Sequence, residues 1–141
     1  MDLKQRIEDV KNNESQLLLI IGQPGSGKSK MIRNYSEDIG IPIIDLDKIF
    51  INTSVDQLMD EMKSFLKNYH KNVLLLDNKK ILYAKDNHLD ILAFLKELGK
   101  DIIVVATWNG KIEDGQLYHF RKDADDLIYS LDKEKVAYIL C

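Results

Sequence analysis

Residues 22–29 read Gly22-Gln23-Pro24-Gly25-Ser26-Gly27-Lys28-Ser29, an unbroken Gly-x-x-x-x-Gly-Lys-Ser pattern. Gly22, Gly25 and Gly27 have no Cβ, so they can take the positive φ angles that turn successive backbone N–H groups toward a phosphate at the start of a helix. A lysine at position 28 can reach the β- and γ-phosphates, and the Ser29 hydroxyl can coordinate Mg²⁺. The stretch therefore predicts a phosphate-binding loop for ATP with Mg²⁺, whose contacts run from Gly22 to Lys30.

The residues on either side of this loop support the same interpretation. Residues 17–21 form a continuous apolar run, which is typical of a strand buried on both faces. Residues 30–35 have the pattern of a helix. Strand, glycine-rich loop and helix thus follow one another in the order that a phosphate-binding loop requires. Nothing in the sequence distinguishes adenine from guanine.

Composition predicts one compact domain over residues 1–141. The chain is 45% hydrophobic and 30% charged, with a formal net charge of −3. Arg6, Arg33 and Arg121 are scattered, so no basic stripe for direct nucleic-acid binding is evident. The single cysteine, Cys141, suits a reducing compartment. No run approaches the length of a membrane-spanning helix, and we expect a cytoplasmic protein.

Helical and strand patterns alternate along the rest of the chain. Helices are predicted for an amphipathic segment within residues 1–14 and for residues 54–69, 86–98 and 123–131, with Ser54 and Asp86 as caps. Further strands are predicted at 41–46, 73–77, 102–106 and 136–140. These elements predict a three-layer α/β fold with a five-stranded, mostly parallel sheet: a P-loop NTPase of the additional-strand (AAA-like) type without a lid domain.

Asp77 is the second candidate site residue. It ends a buried apolar strand, where a carboxylate near the loop can bind Mg²⁺ directly or through water. Many additional-strand ATPases place a glutamate next, whereas this chain has Asn78. Asparagine can orient a water molecule but cannot accept its proton, so we expect secure nucleotide binding and slow hydrolysis.

Three further residues are candidates for catalysis. The fourth predicted strand runs into Thr107-Trp108-Asn109-Gly110, where Thr107 or Asn109 could sense the γ-phosphate. A strand end followed by an Asn-Gly turn would explain the same residues without a function. Arg121 could reach the γ-phosphate of a neighbouring subunit, although a solvated surface arginine is the commoner case.

Asp45 and Asp47 leave a different class of function open. An Asp-x-Asp pair after the second strand could hold an acceptor hydroxyl in a small-molecule kinase. Residues 111–121 contain only one arginine, fewer than a kinase lid usually brings to the transferred phosphoryl group. Turn capping is the simpler role for the pair. A nucleotide-stabilised scaffold without turnover is a third possibility.

The three histidines have no metal-ligand spacing and are predicted to lie on the surface.

Three segments together carry a resemblance to a known family. They are the loop 22–29, residues 75–83 (Leu-Leu-Asp-Asn-Lys-Lys-Ile-Leu-Tyr), and residues 104–110 followed by Gly115-Gln116-Leu117-Tyr118. In this combination the chain resembles BrxF, the small P-loop protein family of type 3 BREX phage-defence systems, over nearly its whole length. The resemblance implies an ATPase-like accessory component that acts with other BREX proteins or by self-assembly.

Overall fold

The computed structural model describes residues 3–50, 52–77, 90–121 and 124–141. The strands in these ranges are β1 (Leu17–Gly22), β2 (Ile43–Ile44), β3 (Val73–Leu76), β4 (Ile103–Glu113), β5 (Gln116–His119), β6 (Leu127–Ser130) and β7 (Ala137–Leu140). The helices are α1 (Leu3–Val10), α2 (Lys28–Ile39), α3 (Leu46–Ile49), α4 (Val55–Lys67), α5 (Ile91–Leu98) and α6 (Leu131–Glu134).

Five of the strands form a parallel sheet in the order β2-β3-β4-β1-β7. Strand β4 lies between β1 and β3, and its Val105 is in register with Leu18 on one side and Leu75 on the other. The strands that carry the glycine-rich loop and Asp77 are therefore not neighbours. Their carboxyl ends still meet at one edge of the sheet, where ligands of open α/β sheets bind.

The apolar residues of β1 divide between two cores, one on each face of the sheet. Leu17, Leu19 and Ile21 pack with residues of α4 and α5, whereas Leu18 and Ile20 pack with residues of α1 and α2. All five side chains are at most 2% exposed. Burial on both faces explains why the strand reads as a continuous apolar run, and it confirms the α/β sheet covered by helices.

The predicted strand count of five is wrong, because the described residues contain seven strands. β4 runs on past the parallel sheet and turns at Asp114-Gly115, whose φ angles of 52° and 74° suit a tight hairpin. β5 and β6 then add to it as antiparallel strands. The helix predicted at 123–131 is also wrong, since residues 127–130 pair with β5. We call β5, β6 and residues 110–113 of β4 the hairpin extension.

Several predicted boundaries shift for local reasons. The second strand shrinks to Ile43–Ile44 because the Asp45 side chain caps α3. Ser54 stands at the start of α4, but its side chain makes no capping hydrogen bond. Helix α5 begins after Asp90, whose carboxylate accepts from the Ala93 N–H at 3.1 Å. The predicted cap Asp86 lies outside the described residues.

The hairpin extension lies on the β3 side of β4. Backbone N–H and C=O groups of alternate residues in a strand point to opposite edges. Val104 donates to Gln16, toward β1, whereas the Asn109 carbonyl accepts from Phe120 on the other edge. The last residue of β3, Leu76, pairs with Ala106 of β4. The hairpin extension therefore pairs with β4 on the same side as β3, beyond the position at which Asp77 follows β3.

Gly110 makes the extension possible by leaving room for a close approach. A Cβ at this position would overlap the Tyr118 carbonyl oxygen and lie 2.8 Å from Trp108 Nε1. Trp108 Nε1 donates to that same carbonyl at 3.0 Å. We expect Gly110→Ala to lower the unfolding free energy by about 3 kcal/mol, through overpacking and a strained buried hydrogen bond. Thermal melting should fall on the order of 10 °C.

Gly115→Asn provides the matched control for this prediction. No atom lies within 4 Å of a Cβ built on Gly115, and asparagine tolerates its positive φ. We expect a cost below about 1 kcal/mol for the control. Equal melting temperatures for Gly110→Ala and the wild type would contradict the packing assigned to Gly110.

Candidate functional site

The glycine-rich loop, residues 22–29, joins the carboxyl end of β1 to the amino end of α2. Gly25 and Gly27 have φ angles of +83° and +101°, which side chains rarely allow. Gly27 occupies the N-cap of α2, and its carbonyl accepts from the Met31 N–H at 3.0 Å. The first turn of α2 thus follows directly on the loop, where free N–H groups and the helix dipole favour an anion.

Gly22 serves a different purpose, because its φ is not positive. A Cβ there would overlap Ser26 Oγ and lie 3.1 Å from the Cys141 carbonyl oxygen. The loop therefore folds back tightly over its first residue. Cys141 lies beside it: its N–H donates to the Ile21 carbonyl at 2.7 Å and its Sγ to the Ser26 carbonyl at 3.3 Å. Only the pairing of β7 with β1 brings Cys141 here, so no local sequence signal pointed to it.

Lys28 is the single charged residue in the loop 22–29, and it is buried, with 7% of its surface exposed. Its Nζ donates to the Gln23 carbonyl at 2.7 Å, so the ammonium lies across the mouth of the loop. Burial lowers the pKa of Lys28, while the charges of Cys141 and Asp77 act in the opposite direction. A partly desolvated ammonium next to the first turn of a helix favours an anion as its partner.

Asp77 and Thr107 meet at the same edge of the sheet. The Thr107 hydroxyl, in a side chain 6% exposed, donates to Asp77 Oδ1 at 3.0 Å. Because β3 and β4 are adjacent and parallel, two residues 30 positions apart become neighbours. The charge of Asp77 also acts on Lys28. The structure thus brings Lys28, Asp77 and Thr107 together, while Asn78 lies outside the described residues.

The segment 107–110 is strand rather than a turn. β4 continues through Asn109 and Gly110 to Glu113, which removes the explanation of Thr107 as the end of a strand. Trp108 is fully buried and packs against His119 and Tyr129, with ring centroids 4.7 Å and 6.1 Å away. Its role is packing rather than stacking on a base. His119, 1% exposed, corrects the prediction that the histidines lie on the surface.

Candidate metal ligands at this edge are few among the residues that the structure describes. Ser29, partly buried, follows Lys28 in the first turn of α2, and Asp77 supplies the carboxylate. Within the part of the chain that the structure describes, no three His, Cys, Asp or Glu side chains converge on one point. A cation held by a hydroxyl and one carboxylate would need oxygens from a ligand, as Mg²⁺ bound with nucleotide phosphates does.

Arg121 and Asp45 make hydrogen bonds to backbone groups close to them in the sequence. Arg121 Nε donates to the Asp125 carbonyl at 2.7 Å, and no recorded contact among the described residues links it to Lys28 or Asp77. Asp45 Oδ1 accepts from the N–H groups of Asp47 and Lys48 at 3.0 and 3.3 Å. The observed role of Asp45 is to cap α3, and no observation favours an acceptor site there.

Tyr129 joins the hairpin extension to the rest of the fold. Its hydroxyl donates to Asp90 Oδ1 at 3.5 Å, at the start of α5. Burial, followed by the charge of Asp90, raises the pKa of Tyr129 to about 12. The neutral form is therefore favoured by folding. The stabilisation that the neutral Tyr129 hydroxyl gives the fold is complete below about pH 10, the pKa of tyrosine in the unfolded chain. This stabilisation is lost as the pH rises toward 12.

We expect the unfolding free energy to fall between pH 10 and 12, and to fall less steeply in Tyr129→Phe. Denaturant titrations across this range measure the effect. Burial also raises the pKa of Tyr35 and Tyr69, so part of the alkaline loss should remain in the variant. An identical slope in the two proteins would contradict the role assigned to the Tyr129 hydroxyl.

The structure defines an α/β protein with an open, mostly parallel sheet and a glycine-rich loop at the carboxyl ends of its strands. No helix among the described residues is long and apolar enough to cross a membrane. Comparisons with protein-family models, with curated proteins and with solved structures found no match for this chain. Its function therefore has to be inferred from the chemistry of the site.

Proposed function

We propose that this protein is a P-loop NTPase of the additional-strand type that binds Mg·ATP at residues 22–30. The observation that carries the proposal is the convergence of a buried loop lysine, Lys28, with Asp77 and Thr107 at one sheet edge. The insertion of β4 between β1 and β3 supports it, since this arrangement gives the additional-strand class its name.

Each residue has a distinct role in the proposed site. On nucleotide binding, the Lys28 ammonium exchanges the Gln23 carbonyl for phosphate oxygens, and the N–H groups of the loop surround the phosphates. Ser29 and Asp77 would hold Mg²⁺, directly or through water. Thr107, whose hydroxyl donates to Asp77, is proposed to position that carboxylate and to sense the γ-phosphate.

Hydrolysis is proposed to be slow and to depend on assembly. Asn78 cannot accept a proton, and general-base catalysis is worth roughly 10²–10⁴-fold. Arg121 is a proposed finger that acts on the nucleotide of a neighbouring subunit or partner, which would require it to leave the Asp125 carbonyl. The nucleotide state would then control assembly. From its resemblance to BrxF, we propose that the partners are proteins of a BREX-type phage-defence system.

The test is to titrate the protein with Mg·ATP and Mg·GTP by calorimetry and then to identify the products. Release of free phosphate, faster at high protein concentration or with added partners, supports an assembling ATPase. A phosphorylated small molecule would instead support the kinase, and binding without turnover would support the scaffold. Failure to bind either nucleotide would overturn the proposed function.

A further inference from the structure

A second charged cleft lies at the opposite edge of the sheet from the glycine-rich loop. Its volume is about 620 Å³, and it opens where β1, β3 and β4 begin, beside Gln16, Asn72 and Ile103. The loop follows the other end of β1. Six residues at about 3.3 Å each separate the two places by about 20 Å. The cleft is therefore distinct from the proposed ATP site.

The walls of the cleft are basic although the chain as a whole is acidic. Four lysines and one acidic residue, Asp101, line it, in a protein that has 23 acidic and 20 basic residues. The lysines come from three separate parts of the chain: the end of α1, helix α4, and the connection from α4 to β3. They are Lys11, Lys63, Lys67 and Lys71. Only the fold gathers them, which is why no basic stripe is visible in the sequence.

Two of these lysines form ion pairs and two do not, within the residues that the structure describes. Lys63 pairs with Asp101 at 2.5 Å and lies 3.9 Å from Glu97, while Lys11 pairs with Glu8 at 2.8 Å. Lys67 and Lys71 are exposed and form no ion pair within the described ranges. The negative C-terminal end of the α4 dipole stabilises the positive charge of Lys67. Lys71 lies beyond that helix and is not stabilised in this way. The two unpaired ammonium groups give the cleft its net attraction for anions.

The floor of the cleft is apolar and is stiffened by an aromatic pair. Leu66, Tyr69 and Ile102 line it, and the Tyr69 ring stacks on Phe65 with centroids 5.6 Å apart. The Tyr69 hydroxyl donates to the Val73 carbonyl at 2.7 Å, which fixes the ring at the start of β3. A cationic rim over an apolar, partly aromatic floor suits a ligand that carries several phosphates on an organic frame.

We propose that this cleft is a second anion site, which binds the phosphate groups of an organic polyphosphate or of a single nucleic-acid strand. The shared chemistry is a row of phosphate oxyanions facing Lys67 and Lys71. The inference does not rest on the proposed ATPase activity, because none of its residues belongs to the glycine-rich loop.

The test uses a fluorescently labelled single-stranded oligothymidylate, with inorganic tripolyphosphate as competitor and without Mg²⁺. We expect the wild type to bind the probe and the double variant Lys67→Ala/Lys71→Ala to bind it at least about tenfold more weakly. The slope of log K against log salt should shrink by about 0.7 for each lysine removed. Both side chains are exposed and unpaired, so the variant should melt like the wild type, which a thermal scan checks.

Two control proteins make the outcome decisive. Lys48→Ala/Lys133→Ala removes two exposed lysines outside the cleft and should bind the probe like the wild type. Lys28→Met removes the loop ammonium and should also retain the probe.

Competition by tripolyphosphate supports a small polyphosphate ligand, and binding that resists it supports a nucleic-acid strand. The proposal is overturned if the wild type binds neither compound, or if the cleft variant binds as the wild type does. Loss of probe binding in Lys28→Met alone would show that the probe binds at the glycine-rich loop, and this result would also overturn the proposal.

Discussion

Lys28→Met is expected to weaken Mg·ATP binding by more than about 100-fold. The change removes the ammonium that is bonded to the Gln23 carbonyl at the mouth of the glycine-rich loop. A charge-assisted contact of this kind is worth about 3 kcal/mol, and each 1.4 kcal/mol is tenfold in affinity. Isothermal calorimetry measures the loss, with Lys48→Ala as a control that removes an exposed lysine elsewhere.

The same substitution is expected to stabilise the nucleotide-free protein. Burial lowers the pKa of Lys28 in the folded state, so the folded protein holds this proton less tightly than the unfolded chain does. The depressed pKa therefore costs stability at neutral pH, where lysine is charged in both states, and the cost disappears above the unfolded pKa. Methionine keeps the length of the side chain without the charge. A higher melting temperature together with lost ATP binding would identify Lys28 as a residue kept for function. Unchanged ATP affinity would contradict the assignment of the loop.

Asp77→Asn is expected to abolish the dependence of nucleotide binding and turnover on Mg²⁺. The amide keeps the shape of the carboxylate and can still accept from the Thr107 hydroxyl, but it has no charge for the cation. Loss of metal stabilisation worth about 3 kcal/mol corresponds to a rate at least about 100-fold lower. Phosphate release at varied Mg²⁺ concentration measures it.

Thr107→Val is the matched control for Asp77. It removes the hydrogen bond at 3.0 Å but leaves the carboxylate in place, so we expect a loss of about tenfold with the Mg²⁺ dependence retained. If the asparagine variant responded to Mg²⁺ as the wild type does, the metal would have to be bound elsewhere. Equal effects of the two variants would point to a structural role for the pair instead.

Local chemistry in the sequence was enough to predict the loop and the elements around it. Positive φ angles were expected for Gly22, Gly25 and Gly27; Gly25 and Gly27 have them, whereas Gly22 does not and is required only by the close approach of Ser26 and Cys141. The apolar run before the loop predicted a strand buried on both faces, which β1 is. The five strands predicted from such runs are all present, although the second is only two residues long. The nucleotide, the metal and the BREX partners remain predictions.

Only the tertiary structure decided which of these elements meet. The hairpin extension was missed although Asp114-Gly115 is a hairpin signal, because residues 127–130 become a strand only through pairing with β5. Thr107 reaches Asp77 because β4 is inserted beside β3, and Cys141 reaches the loop because β7 joins β1. The lysines of the second cleft likewise come from segments far apart in the chain. Strand pairing joins residues that are distant in sequence, and its energy depends on the partner strand rather than on the segment itself. Sequence patterns could therefore predict the strands and the loop here, whereas the neighbours of each strand were decided by the folded chain.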